Sequence, residues 1–227
     1  MRNLKVLGVT GGTGTGKSVV CRMLRAKGGR VIDADLVAKK TEMCGGSAYE
    51  EVVDRFGAEI LDADREIDRT ALGNIVFNDP AALRDLNAIV HKHVSIEIKR
   101  RVREYRESDD ETIKFIVLDV PIPIEDGFFD TCDYIWAVTA NDDIRVERLM
   151  RRMNISEEVA EKRIAAQWSN REYAEIADCE IVNEGSVDEL KKLVDFEFRR
   201  FWEYCSDRSA ATTSPYSPTR TSKRTST

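Results

Sequence analysis

A glycine-rich segment that ends in a lysine and a serine lies near the start of the chain, where residues 4–18 read LKVLGVTGGTGTGKS. Its last part, Gly11-x4-Gly16-Lys17-Ser18, has the phosphate-binding P-loop pattern. The glycines let the backbone wrap a phosphate with its N–H groups pointing inward, and the N-terminus of a following helix adds partial positive charge. A strand-like run before the segment and a helix-like run after it argue against a chance match. The segment therefore predicts that the chain binds a nucleoside triphosphate.

The P-loop pattern also predicts roles for single residues. Lys17 can reach the β- and γ-phosphate oxygens, and the Ser18 hydroxyl can hold Mg²⁺. We expect the phosphates to lie against the loop and the first residues of the helix, namely Gly12, Thr13, Gly14, Thr15, Gly16, Lys17, Ser18 and Val19.

Aspartates follow two of the strand-like runs. Asp33 and Asp35 come after the short run RVI, and Asp119 ends the apolar run IVLD. A carboxylate at Asp33 can orient an acceptor hydroxyl and take its proton during phosphoryl transfer, while Asp35 could lie beside Mg²⁺. In the alternative interpretation both aspartates cap the helix that starts at Leu36, and spacing alone does not decide between the two. Asp119 resembles the acidic residue that orients Mg²⁺ in P-loop enzymes; the alternative is a strand-end aspartate bound to a turn.

Basic residues recur on one predicted helix near residue 150. Arg145, Arg148 and Arg152 are spaced so that they share one face of this helix. Several guanidinium groups on one face suit a lid that closes over phosphates, whereas the alternative is a solvated face paired with nearby glutamates. His91, which lies beside Lys92 in a middle helix, could hydrogen-bond an anionic substrate or be a surface histidine.

The composition bounds the class of protein. The chain has 227 residues, 42% of them hydrophobic and 33% charged, which is enough for one sizeable core. The net charge of −6 argues against nucleic acid as the main partner. Five scattered cysteines without a C-x-x-C pair indicate free thiols, and the sequence shows neither a signal peptide nor an apolar run of membrane-spanning length. We therefore expect a cytoplasmic protein without a membrane partner.

Apolar strands alternate with helical segments along the chain. This order is typical of a parallel sheet covered on both faces, with the ligand outside the carboxyl ends of the strands. The second strand could neighbour the P-loop strand, which would place Asp33 beside the loop. A mostly helical section follows from about residue 36 to 106, and from about Ser206 a segment rich in Ser, Thr and Pro predicts a disordered tail. The predicted strands are Leu4–Thr10, Arg30–Asp33, Ile113–Val120, Tyr134–Thr139 and Glu180–Val182.

Taken together, the motifs resemble the dephospho-coenzyme A kinase family. The resemblance runs from about Leu7 to Leu193, and the ordered set of motifs is far more specific than the P-loop alone. Besides GVTGGTGTGKS, the matching segments are VIDADLVAK, FGAEILDAD with IDR, LGNIVFNDP, AIVHKHV, IVLDVP, ERLMRR, RIAAQ and IVNEGS.

The resemblance implies an ATP- and Mg²⁺-dependent kinase that phosphorylates the ribose 3′-hydroxyl of dephospho-coenzyme A, the last step of coenzyme A synthesis. Asp33 matches the position of the catalytic base, and Arg148 and Arg152 match lid arginines that act with Lys17. His91 and Lys92 fall in the helical region that binds the acceptor together with Asp33.

The resemblance also implies how the chain is divided. An α/β P-loop kinase core would occupy about 1–40, 110–140 and 178–205, with a helical acceptor-binding insertion at about 41–108 and a helical lid at about 141–177. The single unit would span 1–205, with the tail at 206–227. The oligomeric state cannot be read from the sequence, which leaves a monomer or a small homo-oligomer.

The sequence departs from the family in a few places. Arg145 stands where the family commonly has Gln, Lys92 where it usually has Pro, and the segment 122–127 is altered. Acceptor identity is therefore the open point. One alternative is a P-loop kinase of another small acceptor, such as a nucleoside or nucleotide; another is a non-catalytic ATP-binding regulatory protein.

Overall fold

A parallel sheet forms the centre of the protein. The computed structural model describes residues 2–121, 123 and 125–211. Within them the sheet has the strand order β2-β3-β1-β4-β5, and all strand pairs are parallel. The α/β class with a parallel sheet is therefore confirmed. The strands are β1 (Val6–Thr10), β2 (Gly29–Asp33), β3 (Phe115–Asp119), β4 (Tyr134–Thr139) and β5 (Cys179–Val182).

The position of β2 differs from the expectation. β3 lies between β1 and β2, so β2 does not neighbour the P-loop strand. The apolar run of β3 is buried up to its last residue, as a central strand requires, whereas β2 exposes Arg30 and Asp33, which suits an edge strand. In the observed register Asp119 lies opposite both Asp33 on β2 and Val9 on β1. The P-loop, Asp119 and Asp33 therefore lie together at the carboxyl ends of β1, β3 and β2.

Helices cover both faces of the sheet. Those described are α1 (Lys17–Ala26), α2 (Ala34–Glu42), α3 (Tyr49–Phe56), α4 (Arg69–Asn78), α5 (Pro80–Glu107), α6 (Asp142–Met153), α7 (Glu157–Ala165), α8 (Asn170–Glu175) and α9 (Val187–Ala211).

Alternate residues of the strands point into two separate apolar clusters, as the two-residue period of a strand dictates. Leu7 and Val117 face a cluster that includes side chains of α1 and α9, such as Leu24 and Phe201. Ile116 and Leu118 face a second cluster. Helices α2 and α5 contribute Val37, Val94, Ile98 and Val102 to it. The burial of both sheet faces explains why these strands read as nearly continuous apolar runs.

The helical insertion and the predicted lid each have a smaller apolar cluster. In the insertion, Val52, Phe56 and Leu72 pack with the first turns of α5. Asp79 accepts a hydrogen bond from the N–H of Ala81 at 2.8 Å, so it caps α5, which starts at Pro80. In the lid, Leu149 packs with Ala160 and Ile164. The assignment of acceptor binding and lid closure to these parts stays a prediction.

The C-terminal helix is longer than expected. α9 runs to Ala211, whereas the sequence places the start of the tail at Ser206. Cys205 is buried in the core, and the Ser206 hydroxyl donates to the carbonyl of Trp202 at 2.8 Å, so the helix continues past the composition change. The rest of the predicted tail, 212–227, lies outside the described residues. No helix within the described part of the chain is both long and apolar enough to span a membrane.

Candidate active site

The loop between β1 and α1 has the conformation that a phosphate-binding loop requires. Gly14 and Gly16 have φ angles of 81° and 94°, in the left-handed region that favours glycine. At Gly11 a Cβ atom would lie 2.2 Å from the carbonyl oxygen of Val138, so only glycine fits there. Gly16 is the N-cap of α1, and no side chain among the described residues caps this helix. The first N–H groups of α1 therefore point toward the space where an anion would lie.

Lys17, the first residue of α1, forms an ion pair with Asp119 at the end of β3. Both side chains are about 85% buried, at 15% and 13% exposure. Burial, and secondly the negative charge of Asp119, raise the pKa of the neighbouring Cys21 thiol, so this cysteine stays protonated beneath the loop. Asp119, for which the sequence left two roles open, is thus placed at the P-loop lysine.

Asp33 lies opposite Asp119 in the strand register, and its side chain is exposed. Its Oδ1 accepts a hydrogen bond from the N–H of Leu36 at 2.9 Å and caps α2. The capping interpretation is therefore correct for Asp33 and wrong for Asp35, which lies inside α2 because this helix starts at Ala34 rather than Leu36. Partial burial, with the negative charges of Asp33 and Asp119, holds the pKa of Asp35 above its usual value against the opposing charge of Lys17. Asp119 therefore pairs with Lys17, and Asp33 lies opposite Asp119 in the strand register.

Side chains from later in the chain hold the outer edge of the P-loop. The Nε of Arg145 donates to the carbonyl of Thr13 at 2.9 Å, and the N–H of Thr13 donates to Oε1 of Gln167 at 2.6 Å. Asn183 Nδ2 donates to the carbonyl of Thr15 at 2.7 Å. Three side chains from α6, the end of α7 and the end of β5 thus fix the loop backbone.

Local sequence pattern does not reveal these contacts to the P-loop backbone. Gln167 and Asn183 lie in the matched segments RIAAQ and IVNEGS, and that match is the only signal that could have singled them out. The sequence predicts Arg145 on one helix face with Arg148 and Arg152, either in a lid over phosphates or in a solvated basic face. Instead it is buried against the P-loop.

Arg148 and Arg152 line a cleft beside the P-loop. Arg148 is half-buried, and its Nη1 lies 3.4 Å from the carbonyl oxygen of Gly14. Arg152 is exposed. The cleft has a volume of about 230 Å³. Its other lining residues are Gly14, Gly16, Val19, Asn183, Gly185, Val187 and Leu190. The two arginines therefore face the same space as the P-loop.

His91 and Lys92 lie on the surface of α5. Both are exposed, and Lys92 Nζ pairs with Oε2 of Glu51 on α3 at 2.9 Å. His93 Nε2 lies 2.8 Å from the same carboxylate oxygen. α5 packs against α2, the helix that begins after Asp33. The two predicted acceptor-binding residues therefore lie on a helix next to the one that Asp33 caps, separate from the P-loop.

Comparisons with known proteins point to one family. A model of the dephospho-CoA kinase family matches residues 5–189. The chain is 41% identical over 196 residues to the dephospho-CoA kinase of Symbiobacterium thermophilum, an alignment that covers 86% of this chain and 81% of that protein.

Two solved structures share the fold. TT1252 from Thermus thermophilus superposes with a TM-score of 0.70 at 29% identity, covering 88% of this chain and 98% of that one. The dephospho-CoA kinase from Campylobacter jejuni has a TM-score of 0.63 at 25% identity, with the same coverage.

Proposed function

We propose, because the chain belongs to the dephospho-CoA kinase family, that it transfers the γ-phosphoryl group of ATP to the ribose 3′-hydroxyl of dephospho-coenzyme A, giving coenzyme A. One structural observation carries the proposal. Asp33 and Asp119 lie opposite each other at the strand ends, and Asp119 is paired with the P-loop lysine. A candidate base and a phosphate-binding loop thus share one edge of the sheet.

The P-loop binds the phosphates of ATP. The N–H groups at the start of α1 and the Lys17 ammonium neutralise the β- and γ-phosphate oxygens. Lys17 is paired with Asp119 in the structure, so nucleotide binding exchanges one anionic partner of the ammonium for another. The exchange keeps the buried charge paired throughout, which limits its free-energy cost.

The residues around Lys17 also suit Mg²⁺. A hard cation prefers oxygen ligands, and the exposed hydroxyl of Ser18 and the carboxylate of Asp119 supply them at the loop. When bound with ATP, the ion neutralises charge on the transferring phosphoryl group. Asp119 becomes available to orient it once Lys17 has turned to the phosphates.

Asp33 acts as the general base. Its carboxylate takes the proton of the 3′-hydroxyl as the oxygen of that hydroxyl forms its bond to the γ-phosphorus and the bond from phosphorus to the β,γ-bridging oxygen breaks. The hydrogen bond from the N–H of Leu36 fixes one carboxylate oxygen and keeps the group in place. ADP leaves with the electron pair of the broken bond.

Arg148 and Arg152 stabilise the charge on the transferring group and exclude water. Both face the cleft beside the P-loop, and exclusion of water prevents transfer of the phosphoryl group to water in place of the acceptor. His91 and Lys92 contribute to the acceptor side from α5. All five cysteines are thiols, which fits a reducing compartment, and we place the enzyme in the cytoplasm as a monomer or small homo-oligomer.

The test is an assay of the purified chain with ATP, Mg²⁺ and dephospho-coenzyme A, with the product identified by mass. We expect coenzyme A and ADP in equal amounts. A panel of nucleosides and nucleotides as acceptors tests the alternative kinase, and ATP binding measured by calorimetry tests the non-catalytic alternative. Turnover of another acceptor alone, or ATP binding without turnover of any acceptor, would reject the proposed reaction.

A further inference from the structure

Arg145 is a buried cation next to the P-loop, and the proposed mechanism assigns it no role. Its side chain is 1% exposed. Its Nε donates to the carbonyl of Thr13 at 2.9 Å and its Nη1 to Oδ1 of Asp142 at 2.8 Å. Its Nη2 is buried and has no hydrogen-bond partner among the described residues.

Stability does not account for an arginine at this position. A buried guanidinium loses its hydration, and its carboxylate partner Asp142 is 66% exposed, so solvent weakens the attraction between them. An apolar side chain of similar length would fill the same space without that cost, and it would leave Asp142 in water rather than stranded in the interior.

Arg145 and Gln167 meet at one residue of the loop. A Cβ atom added to Gly12 would lie 2.4 Å from Nη2 of Arg145 and 3.3 Å from Oε1 of Gln167, so both side chains pack behind this glycine. Together they bind both backbone polar groups of Thr13, the carbonyl through Arg145 and the N–H through Gln167. The peptide groups on the two sides of Thr13 are therefore held at once.

We propose that Arg145 is a positioning residue for phosphoryl transfer: with Gln167 it forms a clip on Thr13 that holds the P-loop in its phosphate-binding shape. We call these two side chains and the Thr13 backbone the Thr13 clip. The inference rests on the proposed kinase function and assigns a role in it that is separate from those of Lys17 and Arg148.

The clip acts in two ways. It removes the freedom of the Thr13 peptides to turn, so the N–H groups beyond them are already oriented when ATP arrives. It also places a positive charge behind the loop in a region of low dielectric, where the charge favours a bound triphosphate. Arg148 lies three residues further along the same helix. The contact of Arg145 with Thr13 therefore also holds Arg148 near the carbonyl of Gly14.

The test compares Arg145→Met with Arg151→Met. Arg151 lies on the same helix but is exposed and pairs only with Glu147 among the described residues, so it is the matched control for loss of an arginine. We expect Arg145→Met to lower kcat/KM for ATP by about 10- to 100-fold, because a partly buried carbonyl loses a charged donor. KM for dephospho-coenzyme A stays unchanged, and Arg151→Met has little effect on either.

Melting temperatures separate positioning from folding. Without nucleotide, Arg145→Met should melt near the wild-type temperature, because removal of a buried charge whose partner is exposed offsets the lost hydrogen bond to Thr13. Its stabilisation by ATP should be smaller than that of the wild type. Arg145→Gln, which keeps a neutral donor without the charge, should recover part of the loss.

The two halves of the clip should also be coupled. Gln167→Leu should produce a smaller loss of the same kind, and the double variant Arg145→Met with Gln167→Leu should lose less than the product of the single effects. Wild-type kcat/KM for ATP in Arg145→Met, or multiplicative effects in the double variant, would overturn the proposal.

Other outcomes distinguish this proposal from the proposed reaction. Equal losses for ATP and acceptor together with a lowered melting temperature would make Arg145 a folding residue only. If the wild type binds ATP but phosphorylates no acceptor, the proposed reaction fails, and the ATP affinities and melting shifts of the same variants still decide whether the clip exists. If Arg145→Met does not fold, Arg145→Gln and Gln167→Leu decide it.

Discussion

The phosphate side and the acceptor side of the site are built differently. Around the P-loop, the outward backbone groups of Thr13 and Thr15 are bound by the side chains of Arg145, Gln167 and Asn183. These contacts come from three separate elements and are buried or half-buried. The phosphate side therefore has its shape before any nucleotide binds.

The side chains proposed for the acceptor side are more exposed. Asp33 and His91 are exposed, and the ion pair of Lys92 with Glu51 is about half exposed. Phe77, at the end of α4, is 89% exposed, which is unusual for an aromatic side chain in a folded region. We expect substitutions on this proposed acceptor side to change KM for the acceptor, whereas those on the phosphate side change ATP binding and kcat.

Asp33→Asn should have the largest effect, because Asp33 belongs to both sides. We expect kcat to fall about 10²- to 10⁴-fold, the range for removal of a general base, while the Kd for ATP changes little. Asparagine also caps helices, so α2 should keep its start and the melting temperature should stay near that of the wild type. Steady-state kinetics and ATP calorimetry measure the two quantities.

Asp35→Asn is the matched control for Asp33→Asn. It removes a carboxylate two residues away that also faces Lys17, so a general electrostatic effect would appear in both variants. A loss of similar size in the two variants, or only a mild loss in Asp33→Asn, would reduce Asp33 to a helix cap.

Lys17→Met should have the next largest effect and should act on the phosphate side alone. We expect kcat/KM for ATP to fall about 10²- to 10³-fold, in line with loss of one donor to the transferring group. KM for dephospho-coenzyme A should change by less than about twofold. Binding of ATP that is as tight as in the wild type would mean that Lys17 stays on Asp119 in the complex.

The two sides also differ in how far the sequence predicted them. The P-loop and the strand-end positions of Asp33 and Asp119 depend on local pattern and on the parallel order of strands, and both could be predicted. The strand order could not, because two apolar strands of similar length give no local sign of which becomes central. Asp33 therefore lies two strands away from β1, with β3 between them, rather than on a strand next to β1.

The burial of Arg145 shows the same limit for a side chain. Helical spacing placed it on one face with Arg148 and Arg152, and that spacing is correct. Which part of that face turns into the protein depends on the packing of α6 against a loop about 130 residues earlier, as the hydrogen bond to Thr13 shows. Gln167 and Asn183 were missed for the same reason, since their partners are backbone atoms that no side-chain pattern reveals.

Lys92→Met tests the acceptor side and should have a small effect. We expect KM for dephospho-coenzyme A to rise about two- to fivefold, because an exposed ammonium that is shared with Glu51 gives an anionic ligand only modest attraction. The Kd for ATP should not change. Lys162→Met, which breaks an exposed pair with Glu158 on α7, is the control; an equal rise in both variants would remove Lys92 from the acceptor site.

Truncation after Ala211 should have the smallest effect and asks whether the acceptor side needs the rest of the chain. The buried part of α9 reaches Cys205, which packs in the cluster with Phe201, so the cut leaves the core intact. We expect kcat and both KM values to stay within about twofold of the full chain, as for most removals of terminal segments without apolar anchors. The control is truncation after Arg200, which removes Phe201 and Cys205 and should lower the melting temperature. A rise in KM for the acceptor alone after truncation at Ala211 would show that basic residues beyond Ala211 contribute to acceptor binding. The difference between the two sides of the site would then depend partly on that segment.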